Sequence, residues 1–438
     1  MSSPWPLVVP ADSHFSLNNV PFGVVSRSQD GAARVCATRI GDHVVDLSVL
    51  EVEGLLDEAF GTDTSSQRVF AQPTLNAFAA LPVETRNVMR LAIQTLLSPD
   101  SPALRDSPTL RERAILPLDT VTPHLPLSIP DFVDYSIFPA HALGAGRAIF
   151  GPDTPLPPMF GVLPMAYNGR AGTVSVDEEV VRPQGQVRAF SPAREVSIGA
   201  SKALDWEFEI GAFVANPTPS SSTLSPSSAK SHIFGYVLLN DWSARDIQAL
   251  EMVPLGPFNG KSFATTISPW VVFPAALEPF EVDKETAPEL EGKEAPGYLR
   301  EETGIKSAYD LECTTRLRTS SDPSTAHLIS TANFRAAHWS FPQLVAYQTF
   351  SGARLSTGDL LGSGTVSNHG ARRQGCLLEL AKGGKEPLVL GEAGGEQRAW
   401  LEDGDEVVFC ARAGPQGSGV GFGELRGKVL PVSALRAA

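Results

Sequence analysis

The chain has few cysteines, no cluster of basic residues and no long apolar run. Its four cysteines lie far apart and form no CxxC pair, which argues against a disulfide framework and against a structural zinc site. The net charge of −14 argues against nucleic acid and anionic membranes as partners. No stretch reaches the roughly 18 apolar residues of a transmembrane helix, and the first ten residues lack the features of a secretory signal. We therefore expect a cytoplasmic protein.

Glycine and proline, in contrast, are abundant. The 438 residues include 38 glycines and 36 prolines, and 42% of the chain is hydrophobic. This composition predicts a large core, many turns and a mainly β fold in two domains. We place a small N-terminal β domain with a helical linker at 1–118 and a larger catalytic β domain at 119–438.

Local patterns support this division. Short apolar runs over 20–50, separated by turn residues, predict a small β-meander. A helix is expected to start near Pro82, and 98–109 is interpreted as a linker. One face of that helix carries apolar residues at helical spacing, namely Val88, Leu91, Ala92 and Leu96.

The region after residue 120 is interpreted as short strands with peripheral helices, forming a coiled β-roll or sandwich. The predicted strands are Thr173–Val176, Trp206–Val214, Ile233–Leu239, Trp270–Phe273, Leu377–Leu380 and Glu406–Cys410.

Three acidic residues follow a pattern that indicates a metal site. Glu207 and Glu209 are two residues apart, so in a strand both side chains point to the same face, about 7 Å apart. They repel each other unless a cation lies between them. Asp241 ends a second apolar run. Oxygen ligands without His or Cys favour calcium or magnesium. The alternative is that the two glutamates form the solvated face of an antiparallel strand.

The segment around Asp241 carries the most specific motifs. It contains NDWSARDIQ at 240–248, PLGPF at 254–258 and GKSF at 260–263. These motifs closely resemble the fumarylacetoacetase family, hydrolases that cut a carbon–carbon bond at the end of tyrosine breakdown. The resemblance implies an SH3-like N-terminal β-barrel, a C-terminal mixed β-sandwich roll, a homodimer and no organic cofactor.

The resemblance also implies which residues bind one or two divalent cations. Lys261 and Thr265 would flank the metal, and Asp131 competes with Asp134 for the most N-terminal ligand position. The implied acidic ligands are Asp134, Glu207, Glu209 and Asp241.

A general base is implied by the same comparison. His141 would alone be an unremarkable loop histidine, but the family carries its base in a matching segment. Glu379, on a predicted strand, would hold the imidazole in its productive tautomer. Arg245, Gln248 and Lys261 would stabilise the oxyanion, and Lys261 or Gln248 would help to protonate the leaving carbanion.

Three positions depart from the family pattern. Ser136 replaces a tyrosine, with Tyr135 one place early; Phe150 replaces an arginine, with Arg147 nearby; and Met252 replaces another tyrosine. Either Tyr135 and Arg147 perform the same role from shifted positions, or the pocket is more apolar. The predicted substrate-binding residues are Tyr135, Ser136, Arg147, Phe150, Tyr167, Met252 and Thr365.

Three functions follow. The first is hydrolysis of a β-diketo acid, with fumarylacetoacetate as the leading substrate. The second is action on a less anionic β-dicarbonyl, by hydrolysis or by decarboxylation, tautomerisation or hydration. The third, a non-catalytic binding protein, predicts lost catalytic groups, whereas His141 and Glu379 are both present.

Overall fold

The computed structural model describes residues 5–27, 33–61, 68–189, 195–391 and 395–435. These residues form a mainly β structure with short helices, as predicted. No helix within the described ranges is long and apolar enough to cross a lipid bilayer.

The N-terminal part contains a five-stranded antiparallel sheet. The meander predicted over 20–50 supplies three neighbouring strands. Gly41, with a φ of +56°, makes the tight turn between two of them. In spatial order the strands are Ile115–Pro117, His43–Asp46, Arg34–Ile40, Phe22–Arg27 and Val121–His124. The helices beside this sheet are Leu47–Val52, Asp57–Phe60, Asn76–Ala79, Val83–Leu96, Pro102–Arg105 and Pro108–Ala114.

The helix Val83–Leu96 buries a different face from the apolar one seen in the sequence. Val88 and Leu91 are 50% and 56% exposed, whereas Arg86 is fully buried. The Arg86 guanidinium donates hydrogen bonds to the carbonyl oxygens of Leu81, Ile233 and Ser231. Because these carbonyls satisfy its donors, the burial of a charged residue is tolerated.

The linker predicted at 98–109 is wrong. This segment contains the helix Pro102–Arg105 and the start of the helix Pro108–Ala114. Leu104 is fully buried in the same core as the N-terminal sheet. The Ser-Pro pairs start helices here, since proline suits the first helical turn.

A seven-stranded mixed sheet forms the centre of the molecule. Every residue of its strands Phe208–Val214 and Ile233–Asp241 is buried, because both faces of the sheet are covered. Phe213 and Val237 pack with the N-terminal sheet and helices, and Ile210 and Leu238 pack on the other side. In spatial order the strands are Met165–Asn168, Phe132–Ser136, Leu360–Gly362, Phe208–Val214, Ile233–Asp241, Thr265–Ile267 and Val174–Ser175.

A second five-stranded sheet packs on the central one. The rings of Phe208 and Phe409, one from each sheet, have centroids 4.5 Å apart, and both belong to the larger hydrophobic core. Its strands, in spatial order, are His327–Asn333, Leu311–Arg318, Glu406–Ala413, Gly421–Leu430 and Glu179–Val181.

Short strand pairs and helices complete the C-terminal part. The pairs are Gln184–Arg188 with Val196–Ala200, Leu204–Asp205 with Ser243–Ala244, Glu281–Val282 with Ala308–Tyr309, and Leu388–Val389 with Gln397–Arg398. The helices are Pro139–Phe150, Pro226–Ala229, Arg245–Glu251, Asn259–Ser262, Pro274–Leu277, Phe341–Phe350 and Leu377–Leu380.

Two of the predicted strands are wrong. Leu377–Leu380 is one helical turn, and Trp270–Phe273 makes only isolated bridges through Val271 and Val272. A four-residue apolar run does not distinguish a strand from a buried helical turn.

Candidate active site and metal centre

Four buried carboxylates meet on one face of the central sheet. Each offers an oxygen, and these oxygens lie within 4.8 Å of one another. None of the four residues is more than 5% exposed. Glu209 and Asp241 lie on neighbouring strands, and the strand of Asp134 is separated from that of Glu209 by the strand Leu360–Gly362. Glu207 directly precedes the strand that carries Glu209.

The backbone leaves room for these side chains at Gly362. This glycine pairs with Asp134 across the sheet, and a Cβ at its position would lie 2.5 Å from Asp134 Oδ1 and 2.9 Å from Glu209 Oε2. A larger residue would therefore push into the carboxylates. Asp131, the competing candidate, is exposed and accepts a hydrogen bond from the Phe132 backbone N–H.

Two cations and a phenol contact the acidic cluster. Lys261 Nζ lies 2.5 Å from Glu207 Oε2 and also contacts Asp241. Arg245 Nη2 lies 2.7 Å from Glu207 Oε1. The Tyr167 hydroxyl donates a hydrogen bond to Asp241. The two cations offset only part of the charge of the four ionised carboxylates, since Arg245 also pairs with Asp205. The remaining negative charge favours binding of a divalent cation.

The pKa values divide the acids into two kinds. Burial raises the pKa of Asp134 and of Glu209 well above the ordinary carboxyl range. The next cause is the charge of Asp241 for Asp134, and the charge of Asp134 for Glu209. Burial also acts to raise the pKa of Glu207, but Lys261 and Arg245 outweigh it and lower that pKa to about 2. Asp134 and Glu209 are thus the acids that need an added positive charge to ionise.

Two buried carboxylate oxygens fit a metal ion. Among the described residues, Asp134 Oδ1 and Glu209 Oε1 have no hydrogen-bond partner, and both residues belong to the group of four close carboxylates. A buried oxygen without a donor is costly, and a cation bound by these atoms would remove that cost. Thr265 Oγ1 lies 3.4 Å from Asp241 Oδ1 at the edge of the cluster. The all-oxygen donor set suits calcium or magnesium.

A histidine–glutamate pair lies beside the acids. His141 Nδ1 is 2.7 Å from Glu379 Oε2. Because a carboxylate only accepts, Nδ1 carries the proton and Nε2 is left as the basic nitrogen. The side chains of His141 and Glu379 are 13% and 2% exposed. Electrostatic interaction with His141 also lowers the pKa of Glu207, so the imidazole is close to the cluster.

The glutamate is held by further groups that sequence reasoning missed. Ser367 Oγ donates to Glu379 Oε2 at 2.8 Å, and Cys376 Sγ donates to it at 3.2 Å. A Cβ at Gly144 would lie 2.6 Å from Glu379 Oε1, so the helix carrying His141 needs glycine there to approach. No motif in the sequence marks Ser367. The one available signal is its position two residues after Thr365, a predicted site residue.

Asp205 is the other residue that was missed. It is fully buried and contacts Arg245. Burial raises the pKa of Asp205, while Arg245 and two backbone N–H groups oppose that rise. The period-two series Asp205, Glu207 and Glu209 is the signal that could have identified it.

The predicted substrate-binding residues do not all reach the cluster. Tyr135 lies on the opposite face of its strand from Asp134, and its hydroxyl donates to Gln348 Oε1 at 3.1 Å in the core. Ser136 is half-buried on the same strand face as Asp134. Tyr167 contacts Asp241. Thr365 is buried and follows Gly364, whose backbone N–H donates to Glu209 Oε2.

Arg147 and Phe150 lie in the last turn of the helix Pro139–Phe150. Arg147 is exposed, and Phe150 is 74% exposed. Phe150 lies nine residues after His141 on one helix, so at about 100° per residue it is on the opposite helix face. These positions do not support a contact of either side chain with substrate at the acids.

Gln248 and Met252 are neighbours at the C-terminal end of the helix Arg245–Glu251. Gln248 Oε1 accepts a hydrogen bond from Arg245 Nη1 at 3.2 Å. Its amide nitrogen is 3.9 Å from Met252 Sδ, and Met252 is 47% exposed. Gln248 is therefore connected to the cluster through Arg245.

Comparison with known proteins adds an independent finding. The family models "Fumarylacetoacetase N-terminal" and "Fumarylacetoacetate (FAA) hydrolase C-terminal" match residues 18–126 and 139–430. A fumarylacetoacetase of Aspergillus fumigatus is 42% identical over 437 residues, covering 98% of this chain and 99% of the relative. One of Caenorhabditis elegans is 41% identical over 428 residues, covering 97% and 98%.

Solved structures show a similar fold. A candidate HpcE protein of Mycobacterium smegmatis aligns with a TM-score of 0.51 and 15% identity, covering 93% of this chain and 99% of that one. At this identity the likeness concerns the fold alone.

Proposed function

The chain belongs to the fumarylacetoacetase family, and on this premise we propose that it hydrolyses fumarylacetoacetate to fumarate and acetoacetate. It is a hydrolase acting on carbon–carbon bonds. The observation that carries the proposal is the His141–Glu379 pair beside four buried carboxylates. Base and acidic cluster together suit addition of water to a polarised β-dicarbonyl.

His141 and Glu379 activate the water. Glu379 fixes the tautomer in which Nε2 accepts the water proton, and it stabilises the resulting imidazolium. The oxygen of that water adds to the carbonyl carbon, and collapse of the adduct breaks the carbon–carbon bond. The released carbanion takes one proton, so the elements of water are shared between the two products.

The cations of the cluster stabilise the negative charge that develops on oxygen. A divalent cation bound by Asp134, Glu207, Glu209 and Asp241 would supply Lewis-acid polarisation of the two substrate oxygens. Burial acts to lower the pKa of Lys261, but Asp241 and Glu207 outweigh it and raise that pKa. Because Lys261 keeps its proton, we propose that the His141 imidazolium protonates the carbanion.

Arg245 remains charged for the same reason. Burial acts to lower its pKa, but Glu207 and Asp205 more than compensate. Its guanidinium also holds Gln248, so Arg245 and Gln248 are placed to act together on the oxyanion.

The test is a substrate comparison with a base variant. Loss of diketone absorbance is followed for fumarylacetoacetate and for a neutral β-diketone, with calcium or magnesium and with a chelator. We expect metal-dependent turnover of fumarylacetoacetate, lowered on the order of 10²–10⁴-fold by His141→Ala with metal affinity unchanged by calorimetry.

His232→Ala is the matched control. The His232 ring contacts a backbone oxygen, that of Asn216, and this variant should keep wild-type turnover. Near-normal turnover in His141→Ala would contradict the base assignment. Preference for the neutral diketone would favour the less anionic substrate class, and absence of all turnover would favour a binding protein.

Further properties are proposed from family membership. We infer one or two bound ions of Ca²⁺ or Mg²⁺, no organic cofactor, a homodimer and a cytoplasmic role in tyrosine and phenylalanine catabolism. The all-oxygen donor set supports the choice of ions. We also propose the SH3-like and β-sandwich-roll domains at 1–118 and 119–438. The two family matches, at 18–126 and 139–430, support a division into two parts, although the strand Val121–His124 pairs with the N-terminal sheet.

A further inference from the structure

Asp205 is a buried carboxylate to which two parts of the site are tied. It is fully buried at the end of the short strand Leu204–Asp205. Three N–H groups donate hydrogen bonds to its two oxygens, which is within the capacity of a carboxylate. One is Nε of Arg245 and two are backbone amides near Glu379, and Arg245 Nη2 adds an ion-pair contact.

The first connection leads to Glu379. The backbone N–H of Leu377 donates to Asp205 Oδ1 at 2.7 Å, and that of Leu378 donates to Oδ2 at 3.0 Å. Leu377–Leu380 is the single helical turn that carries Glu379. A single helical turn has little stability of its own. These two hydrogen bonds therefore fix the position of the turn, and with it the direction in which the Glu379 side chain extends towards His141.

The second connection leads to Arg245. Its Nε donates to Asp205 Oδ2 at 2.9 Å, and its Nη2 lies 2.8 Å from the same oxygen. Nη2 also contacts Glu207, and Nη1 donates to Gln248. Asp205 thereby fixes the plane of the guanidinium that faces the acidic cluster.

We propose that Asp205 is a positioning residue that places Arg245 and the Glu379–His141 pair in register with each other for the reaction. The inference rests on the proposed function. It goes beyond that function because Asp205 contacts neither the imidazole of His141 nor the unpartnered oxygens of Asp134 and Glu209. Asp205 acts only through Arg245 and the helical turn that carries Glu379.

The chain contains a matched control for this role. Asp405 is also fully buried, and it accepts hydrogen bonds from Arg398 Nε and Nη2 at 2.8 and 3.0 Å. The backbone amides of Glu402 and Ser320 complete its shell. Asp405 therefore has the same chemistry as Asp205, but its partners in the described part of the chain are not site residues.

The experiment compares Asp205→Asn with Asp405→Asn in the metal-loaded enzyme. Asparagine has the shape of aspartate, but an NH₂ group replaces one of the two acceptor oxygens. Because this NH₂ group faces N–H donors, at least one hydrogen bond is lost at each site. Both variants should lower the urea midpoint. Only Asp205→Asn should lower kcat per folded enzyme, by about 10–100-fold, the loss typical of groups that orient a functional side chain.

Two further readouts separate positioning from general destabilisation. In Asp205→Asn we expect KM and divalent-cation affinity to stay within about threefold of wild type, since the metal-facing carboxylates remain. In a double-mutant cycle with Glu379→Gln, the kcat losses should not add, because both changes disturb one unit.

The outcomes are decisive in each direction. Equal kcat in the two asparagine variants, or additive losses in the cycle, would overturn the proposal while the wild type remains a hydrolase. A wild type that turns over no diketone would instead overturn the proposed function, and this inference with it. If Asp205→Asn does not fold, Asp205→Glu replaces it; failure of both, with Asp405→Asn folded, would assign Asp205 a purely structural role.

Discussion

Removing the metal should make the stability of this protein fall as pH rises. Asp134 and Glu209 are both buried, and burial is the main cause that raises the pKa of each. The next cause is the charge of Asp241 for Asp134 and the charge of Asp134 for Glu209. Without metal, the native state therefore holds two protons at a pH where the unfolded chain has already released them. Each such group lowers the free energy of unfolding by about 1.4 kcal/mol per pH unit between its unfolded and its native pKa.

A bound divalent cation should remove this dependence. It favours the ionised form of both carboxylates, so their native pKa values fall below the unfolded ones and their contribution is then lost only on acidification. A ligand present at about 100 times its Kd adds about 2.7 kcal/mol to the stability of the native state. The difference in stability between metal-loaded and metal-free protein should therefore widen as pH rises above the ordinary carboxyl pKa range.

Glu209→Gln isolates one of the two groups. The amide cannot ionise, whereas the pKa of Asp134 stays raised because burial and Asp241 are its main causes. In chelator, the pH slope of the variant should be shallower than that of the wild type by about 1.4 kcal/mol per pH unit. The variant should also lose most of the stabilisation by metal, since one ligand oxygen is gone.

Urea denaturation at several pH values, with chelator or with excess calcium or magnesium, measures both effects. Glu424→Gln is the control, because Glu424 is half-exposed and lies away from the acids on the strand Gly421–Leu430. Parallel slopes for wild type and Glu209→Gln in chelator would refute the reasoning from burial. Unchanged calcium and magnesium affinity in calorimetry would refute the role of Glu209 as a ligand.

Two further predictions concern exposure. Phe150→Arg should change kcat/KM for fumarylacetoacetate by less than about threefold, because the side chain is 74% exposed on the helix face opposite His141. A steady-state assay that shows a gain of about tenfold would mean that position 150 reaches the substrate. Cys313 and Cys376 should resist iodoacetamide in the native protein and react in denaturant, because both thiols are fully buried and burial raises their pKa. Rapid native labelling, detected by peptide mass spectrometry, would contradict this.

Local patterns in the chain were sufficient for several strands. The meander and the strands around Glu209 and Asp241 follow from short apolar runs between turn residues, and both are present. The helix Val83–Leu96 was expected, but its buried face was not. Arg86 is buried because carbonyl oxygens from distant segments accept its hydrogen bonds, and no local pattern contains those partners.

The absence of distant partners from local patterns also explains which site residues the sequence did not reveal. Strand parity alone separates Tyr135 from Asp134, so its inward direction was available from sequence once the strand was accepted. The prediction for Phe150 carried over a family position, and only the structure shows the helix that places this side chain on the face opposite His141. Ser367 and Asp205 act by contacts across the fold and belong to no short motif.

The family, the mainly β architecture and the acidic residue types were determined by the sequence itself, because motifs and strand alternation are written in neighbouring residues. Tertiary structure alone decided that oxygens of the four carboxylates lie close enough to bind one ion. It also decided that Glu379 lies on a helical turn and that Asp205 connects that turn to Arg245. The physical reason is that charge coupling and burial depend on distances between segments far apart in the chain. Those distances exist only once the sheets have packed.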